Sequence, residues 1–344
     1  MRAIRVHQHG GLDALAWEET ADPVPGPTEV LVRVRACGVN HLDLWVRRGV
    51  PGHEFPLPLI LGCDITGEVA EVGQSVTGIS VGSRVLVAPG FGCGGCEPCS
   101  LGNDHLCRHY GIMGETRDGG YAPWVVVPHR LVLALPENLS FEEGAAFPLA
   151  FLTAWHMLVA RAEVQPGELV LVHAAGSGVG SAAVQIARLL GARVLATAGT
   201  DAKLQHAAEL GAEETINYEK VDFAKEVSRL TGKRGVDVVV EHVGEATWEG
   251  SVRCLAKGGR LVTCGATTGP TGNLHLPRLF FKSLSILGST MGSRGELHRI
   301  VQLMEQRKLH PVVDRVLDLE DAREAHRILE DREAFGKIVL CPPS

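Results

Sequence analysis

One stretch limits the fold of this chain more than any other. Leu169-Val-Leu-Val-His-Ala-Ala-Gly-Ser-Gly-Val-Gly-Ser-Ala-Ala-Val-Gln-Ile-Ala reads as a short buried strand, a glycine turn and a helix, in that order. Such a strand, turn and helix open a parallel α/β unit, because parallel strands need a crossover connection. Glycines let the backbone approach a pyrophosphate. That anion would sit at the helix N-terminus, where unpaired N–H groups and the helix dipole favour negative charge. Gly176, Ser177, Gly178, Val179 and Gly180 are therefore candidate dinucleotide-binding residues. The six-residue glycine fingerprint is met loosely, with Ser181 at its third glycine position.

The pattern continues downstream. Strands are expected near 193–198, 236–240 and 260–264, a helix over 201–210, and a last strand at 283–288. Strands alternating with helices predict a doubly wound parallel sheet over residues 151–289. NAD-type sites carry an Asp or Glu at the end of the second strand, for the ribose 2′-hydroxyl. Here Ala198 holds that position and no acid is present. Thr200 follows, then Lys203, the first lysine of the chain. A hydroxyl and an ammonium without a carboxylate fit a 2′-phosphate, so NADP(H) is expected ahead of NAD(H), which stays open.

A length of 344 residues fits two domains. The first, residues 1–150, reads as β-rich: apolar and polar residues alternate at 30–35, 65–72, 84–87 and 124–127, with Gly and Pro between. A helix start is signalled at Ser140, with Glu143 completing a capping box and Pro148 limiting the helix. Residues 290–344 carry two amphipathic stretches and a final strand at 337–340. That tail is too short to stand alone and is expected to complete the first domain. With 33 Lys+Arg against 40 Asp+Glu, the net charge is −7, and no basic cluster suits nucleic acid. The N-terminus lacks an apolar signal-like run, and residues 169–187 are interrupted by His173, Ser177, Gln185 and glycines. A cytoplasmic globular protein that binds neither membrane nor nucleic acid is expected.

Nine cysteines are an odd count, and four of them cluster. Cys93, Cys96, Cys99 and Cys107 stand at spacings x2, x2 and x7, in a lobe at about 90–110. Four thiolates complete a tetrahedral zinc shell and leave no open position, so the expected ion is structural. Gly92, Gly94 and Gly95 relieve crowding around it.

Together these features resemble the medium-chain dehydrogenase/reductase superfamily, the zinc alcohol dehydrogenase and quinone oxidoreductase group, along essentially the whole chain. The resemblance implies a GroES-like β-rich catalytic domain, a Rossmann domain, and a C-terminus that returns to the first domain. The stretch Gly62-Cys-Asp-Ile-Thr-Gly stands where the family has its Gly-His-Glu-x-x-Gly signature. By the same resemblance Thr153, Gly265 and Ser289 would lie near the nicotinamide, and His41 near the pyrophosphate. Departures from the family fall on its catalytic zinc. The first ligand position holds Asn40, the second Cys63 in place of His, the neighbouring acid is Asp64, and the third ligand position holds Leu149. Cys37 and His41 are substitutes that the family aims elsewhere. Three protein ligands are needed, and this set does not supply them. The segment Gly38-Val-Asn-His-Leu-Asp is similar to the zinc-free quinone oxidoreductase branch.

The reaction expected from this mixture is hydride transfer to a conjugated carbonyl, a quinone or an enone. Charge that is spread over a conjugated system can be met by hydrogen-bond donors, whereas a plain alkoxide calls for a metal. Asn40 would orient the substrate oxygen, Asp43 would hold Asn40, His41 or a water, and Asp64 completes the candidate catalytic set. Tyr110 or water would deliver the proton, and Trp45 and Phe55 are candidate pocket walls. Two alternatives remain: a zinc-dependent alcohol dehydrogenase with altered ligands, and a non-catalytic NADPH-binding structural or sensor protein. A small-molecule substrate and a homodimer or homotetramer are expected.

Overall fold

The computed structural model describes residues 1–343 and divides into two compact units. One comprises residues 1–149 and the chain from Ser293 onward; the other comprises Ala150–Gly292.

The first unit is organised by one long strand, Glu29–Gly38. Val30, Val32, Val34 and Ala36 are buried while Arg33 between them is exposed, which is the period-2 pattern of a half-buried strand. On one side it pairs antiparallel with Asp64–Val72, bringing Gly38 opposite Asp64. On the other it pairs with Trp124–Pro128 near its start and with Lys337–Cys341 near its end, where Val339 faces Gly38. The C-terminal strand therefore closes the N-terminal sheet, and it also pairs parallel with Val313–Asp318. Immediately after the long strand, Asn40 caps the helix His41–Arg48. Ser140 caps Phe141–Ala145 with the expected capping box, and Pro148 opens a new helix, Pro148–Trp155, rather than only ending the old one. A π-helical turn, His156–Arg161, follows it, with no counterpart in the sequence reading.

The second unit is a six-stranded parallel sheet. Its order is Glu214–Asn217, Arg193–Ala198, Leu169–Val172, Val236–Glu241, Leu255–Thr263, Ser285–Gly288. This is the doubly wound order, and the strand sequence reverses between Leu169–Val172 and Val236–Glu241. Ligands of such sheets bind at that crevice, beyond the carboxyl ends of the strands. Leu171, Val239, Leu261 and Leu195 form the buried heart of the sheet. Among the described residues no helix is long and apolar enough to cross a membrane.

Candidate functional site

Asn40, Asp43, Cys63 and Asp64 meet in the first unit because the long strand and its antiparallel partner end side by side. All four are buried. Asp43 Oδ2 accepts from the Asn40 backbone N–H at 2.7 Å, and Asp43 Oδ1 accepts from the Gly62 N–H at 3.1 Å. Asp43 thus fixes the backbone around Asn40 rather than its amide. Burial lifts the Asp43 carboxyl to about 6, against the opposing pull of those N–H donors, Lys337 and Tyr121.

The amide of Asn40 is tied at both ends. Its Nδ2 donates to Asp64 Oδ2 at 2.9 Å and lies 3.5 Å from Cys63 Sγ. Its Oδ1 accepts from the ammonium of Lys337, a residue 297 positions away in sequence. Lys337 Nζ also donates to Asp64 Oδ2 at 3.1 Å. Asp64 Oδ1 accepts from the Leu149 backbone N–H at 2.8 Å. Burial, then the charges of Asp64 and Asp43, push the Cys63 thiol well above its ordinary value, so it stays neutral. Cys37 packs beneath Gly62, where an added Cβ would lie 2.6 Å from its sulfur. Gly62 has φ +93°, so the crowding and the backbone both demand glycine.

Behind this group runs a buried polar chain that the sequence did not reveal. Arg47 donates to His326 Nδ1 at 3.3 Å and pairs with Glu330. His326 Nε2 stands 3.3 Å from Tyr121 Oη, which donates to Asp43 Oδ2 at 3.2 Å. The donor order places the proton of neutral His326 on Nε2. Burial holds His326 down to about 3, helped by the charges of Arg47 and Arg48. Tyr110 lies with its hydroxyl over Gly90, where an added Cβ would fall 1.8 Å from it, and burial raises its pKa. Of the candidate pocket walls, Trp45 is exposed and Phe55 packs against His9 and His53.

The family's catalytic zinc does not fit this donor set. Leu149 offers no side-chain ligand, and Asn40 Oδ1 and Asp64 Oδ2 already accept from an ammonium, which leaves Cys63 alone of the expected positions.

The four-cysteine lobe does fit a zinc. The sulfurs of Cys93, Cys96, Cys99 and Cys107 all lie within 4.8 Å of one another. Cys96 and Cys107 are 3.6 Å apart, close to the ~3.8 Å edge of a tetrahedron with ~2.3 Å zinc–sulfur bonds. The N–H groups of Cys93 and His109 point at Cys107 Sγ, both at 3.3 Å, and that of Gly94 at Cys99 Sγ at 3.4 Å. Such donors compensate the negative charge of a tetrathiolate centre. A Cβ on Gly92 would fall 2.5 Å from Cys99 Sγ. A bound zinc would cross-link this lobe and leave no position for substrate.

In the second unit, Ser177 caps the helix Gly178–Leu189, its hydroxyl accepting from the Gly180 N–H at 3.0 Å. A Cβ on Gly180 would come within 2.3 Å of the Ala174 carbonyl, so glycine lets strand and helix approach. Gly176 and Val179 flank Ser177 and Gly178 in the same turn. Thr153 is buried in the helix Pro148–Trp155, and Gly265 follows the fifth strand of the sheet. Ser289 follows the edge strand, and its buried hydroxyl has no hydrogen-bond partner among the described residues. An orphaned hydroxyl at the carboxyl end of the sheet fits a missing polar ligand group, as a nicotinamide carboxamide would be. Thr200 caps the helix Asp201–Glu209 by accepting from the Lys203 N–H, so both candidate 2′-phosphate residues open one helix. Tyr218, absent from the sequence reading, stands over Gly199, its hydroxyl 2.9 Å from the place of an added Cβ. His41 begins the helix His41–Arg48 of the first unit.

At the reversal of strand order, Glu241 is fully buried and accepts from the N–H groups of Val243 and Gly244 and from Thr247 and Ser251. His173 Nε2 meets Ser251 Oγ at 2.9 Å. Burial holds His173 down to about 4.

A family model for zinc-binding dehydrogenases matches residues 178–306, and one for the alcohol dehydrogenase GroES-like domain matches residues 26–137. An NAD-dependent alcohol dehydrogenase of Saccharolobus solfataricus is 33% identical over 99% of this chain and 100% of its own. A quinone oxidoreductase of Sus scrofa is 33% identical over 99% of this chain and 97% of its own. A crystal structure of an NAD-dependent alcohol dehydrogenase is 51% identical, with a TM-score of 0.96, over 99% of each chain.

Proposed function

We propose a reaction for a chain that belongs to the medium-chain dehydrogenase/reductase superfamily: hydride transfer to a conjugated carbonyl, a quinone or an enone, with no metal at the reacting oxygen. The observation that carries this reading is the donor set at 40, 63, 64 and 149, where an amide, a neutral thiol, a paired carboxylate and a leucine replace a ligand shell. When bound at the glycine turn, a reduced nicotinamide dinucleotide supplies the hydride. Reduction of a saturated ketone concentrates charge on one oxygen, which calls for a metal or a strong acid. A conjugated acceptor spreads that charge, and fixed hydrogen-bond donors suffice. Asn40 and Lys337 are the donors this chain offers, held in place by Asp43 and Asp64. Tyr110, which burial keeps protonated, is the side chain to test as a proton source.

NADP(H) is the proposed cofactor. Ala198 stands where an acid would repel the 2′-phosphate, and Thr200, Lys203 and Tyr218 gather beside it. Assembly into a homodimer or homotetramer belongs to the same proposal. The edge strand Ser285–Gly288 and the exposed Leu276, Phe280 and Phe281 support it.

Cofactor oxidation with NADPH and NADH against quinones, enones, aldehydes and saturated ketones tests the reading. Turnover of conjugated acceptors, with saturated ketones slower by on the order of a hundredfold, is expected. The relatives named NAD-dependent alcohol dehydrogenase favour a second reading, an alcohol dehydrogenase with altered ligands. NAD-linked oxidation of simple alcohols as the fastest reaction would establish that instead. Tight NADPH binding without any turnover would indicate a non-catalytic protein.

A further inference from the structure

Lys337 is a buried cation within the group around Asn40. It begins the strand Lys337–Cys341 just after Gly336, whose φ of +90° suits glycine alone, since a Cβ there would fall 2.5 Å from the Val312 carbonyl. The Val39 N–H donates to the Ile338 carbonyl at 2.9 Å, which fixes the Lys337 backbone beside Asn40. Its side chain is buried against a fully buried Asp64. A buried lysine is costly unless its charge is paired and its protons are used. Here Nζ donates to Asp64 Oδ2 and to Asn40 Oδ1.

We propose that the Lys337 ammonium is a built-in cation that takes the place of a divalent metal among Asn40, Cys63 and Asp64 and keeps the metal out. The inference rests on the metal-free reading of the site. Charge accounts for it first. One ammonium balances the Asp64 carboxylate. The Asp43 carboxyl, which burial lifts to about 6, also feels the charge of Lys337, but its oxygens are taken by the N–H groups of Asn40 and Gly62 and by Tyr121. Geometry accounts for it second. An incoming ion would need the same two oxygens that already accept from Nζ. It would also place a double positive charge beside a third in a buried setting, where like charges repel strongly. Without the ammonium, Asp64 is a buried carboxylate lacking its counter-charge, next to an amide oxygen and a thiol that can ionise onto a metal. Asp64 and Cys63 are then joined by the Asn40 oxygen, which Nζ no longer holds, as the third ligand that the set lacks while the lysine is present, with water as the fourth.

The test is a zinc count on the wild type and on Lys337→Ala, Lys337→Cys and Lys337→Arg, all expressed with zinc and freed of loose metal by gel filtration. Thermal melts of the same samples report folding. The expected result is one zinc per chain in the wild type and Lys337→Arg, and two in Lys337→Ala and Lys337→Cys. Adding Asp64→Asn to Lys337→Ala returns the count to one. If the wild type holds one zinc and neither small variant gains a second, the inference falls while the metal-free reaction stands. If the wild type itself holds two, both fall. Small variants that fail to fold even with zinc supplied also count against the inference, because the metal is expected to replace the lost charge.

Discussion

Asn40 is held at both ends of its amide, its oxygen by an ammonium and one N–H by a carboxylate. Its second N–H makes only long contacts, 3.4 Å to the Gly38 carbonyl and 3.5 Å to Cys63 Sγ, and is the donor left for a substrate oxygen. A residue held this way has a fixed orientation, which is what a site needs if dipoles are to replace a metal. Asn40→Ala is expected to lower kcat/KM on the best conjugated acceptor by on the order of a hundredfold, the usual cost of one such donor. Unchanged kcat/KM would remove Asn40 from the mechanism. At the cofactor end, Lys203→Ala is expected to weaken NADPH by about tenfold or more, the worth of one charge-assisted hydrogen bond, while leaving NADH unaffected. Equal losses for both cofactors would contradict a 2′-phosphate role. The sequence made Asn40, Asp43 and Asp64 visible because they are neighbours in short motifs. It hid Lys337, 297 residues from Asn40, and Arg47, Tyr121 and His326, because only the returning C-terminal chain brings them together.

The elements were legible where periodicity was strong. The alternation at 30–35 became the strand Glu29–Gly38, and the capping box at Ser140 formed as expected. The strand Glu214–Asn217 and the helix Phe223–Leu230 escaped notice, the former because two of its four residues are exposed and give no apolar run. The π-helical turn His156–Arg161 has no signature in periodicity at all. The glycine turn shows how an element enforces a residue type. In Gly180→Ala the new methyl would press on the Ala174 carbonyl from 2.3 Å, and overpacking of this kind costs about 1–3 kcal/mol. We expect a lower melting temperature and weaker NADPH binding together, measured by thermal melts and cofactor fluorescence. A variant with wild-type values for both would show that the turn tolerates a side chain.

For the whole molecule, buried histidines set the response to acid. His173 is held down to about 4 and His326 to about 3 by burial, whereas a free histidine titrates near ~6.5. Asp43 is shifted the other way, up to about 6 from a usual ~3.9. Between pH 6 and 4 the unfolded chain therefore takes up two histidine protons that the folded chain refuses, while the folded chain keeps one at Asp43. For these three groups the difference favours the unfolded state; His242, also held down by burial, acts in the same sense, and Glu115, lifted by burial, opposes it. Stability then falls as pH drops through that window. Melting temperatures measured from pH 7.5 to 4.5 should decline; a flat or rising profile would contradict this burial.

We propose that the molecule uses zinc for structure and none for chemistry. Elemental analysis of the wild-type protein, purified without added metal, tests it most directly. We predict one zinc per chain, lost in Cys96→Ser, with the group around Asn40 left metal-free. Two zincs per chain, one of them surviving Cys96→Ser, would contradict the account and point to an alcohol dehydrogenase whose ligands have changed.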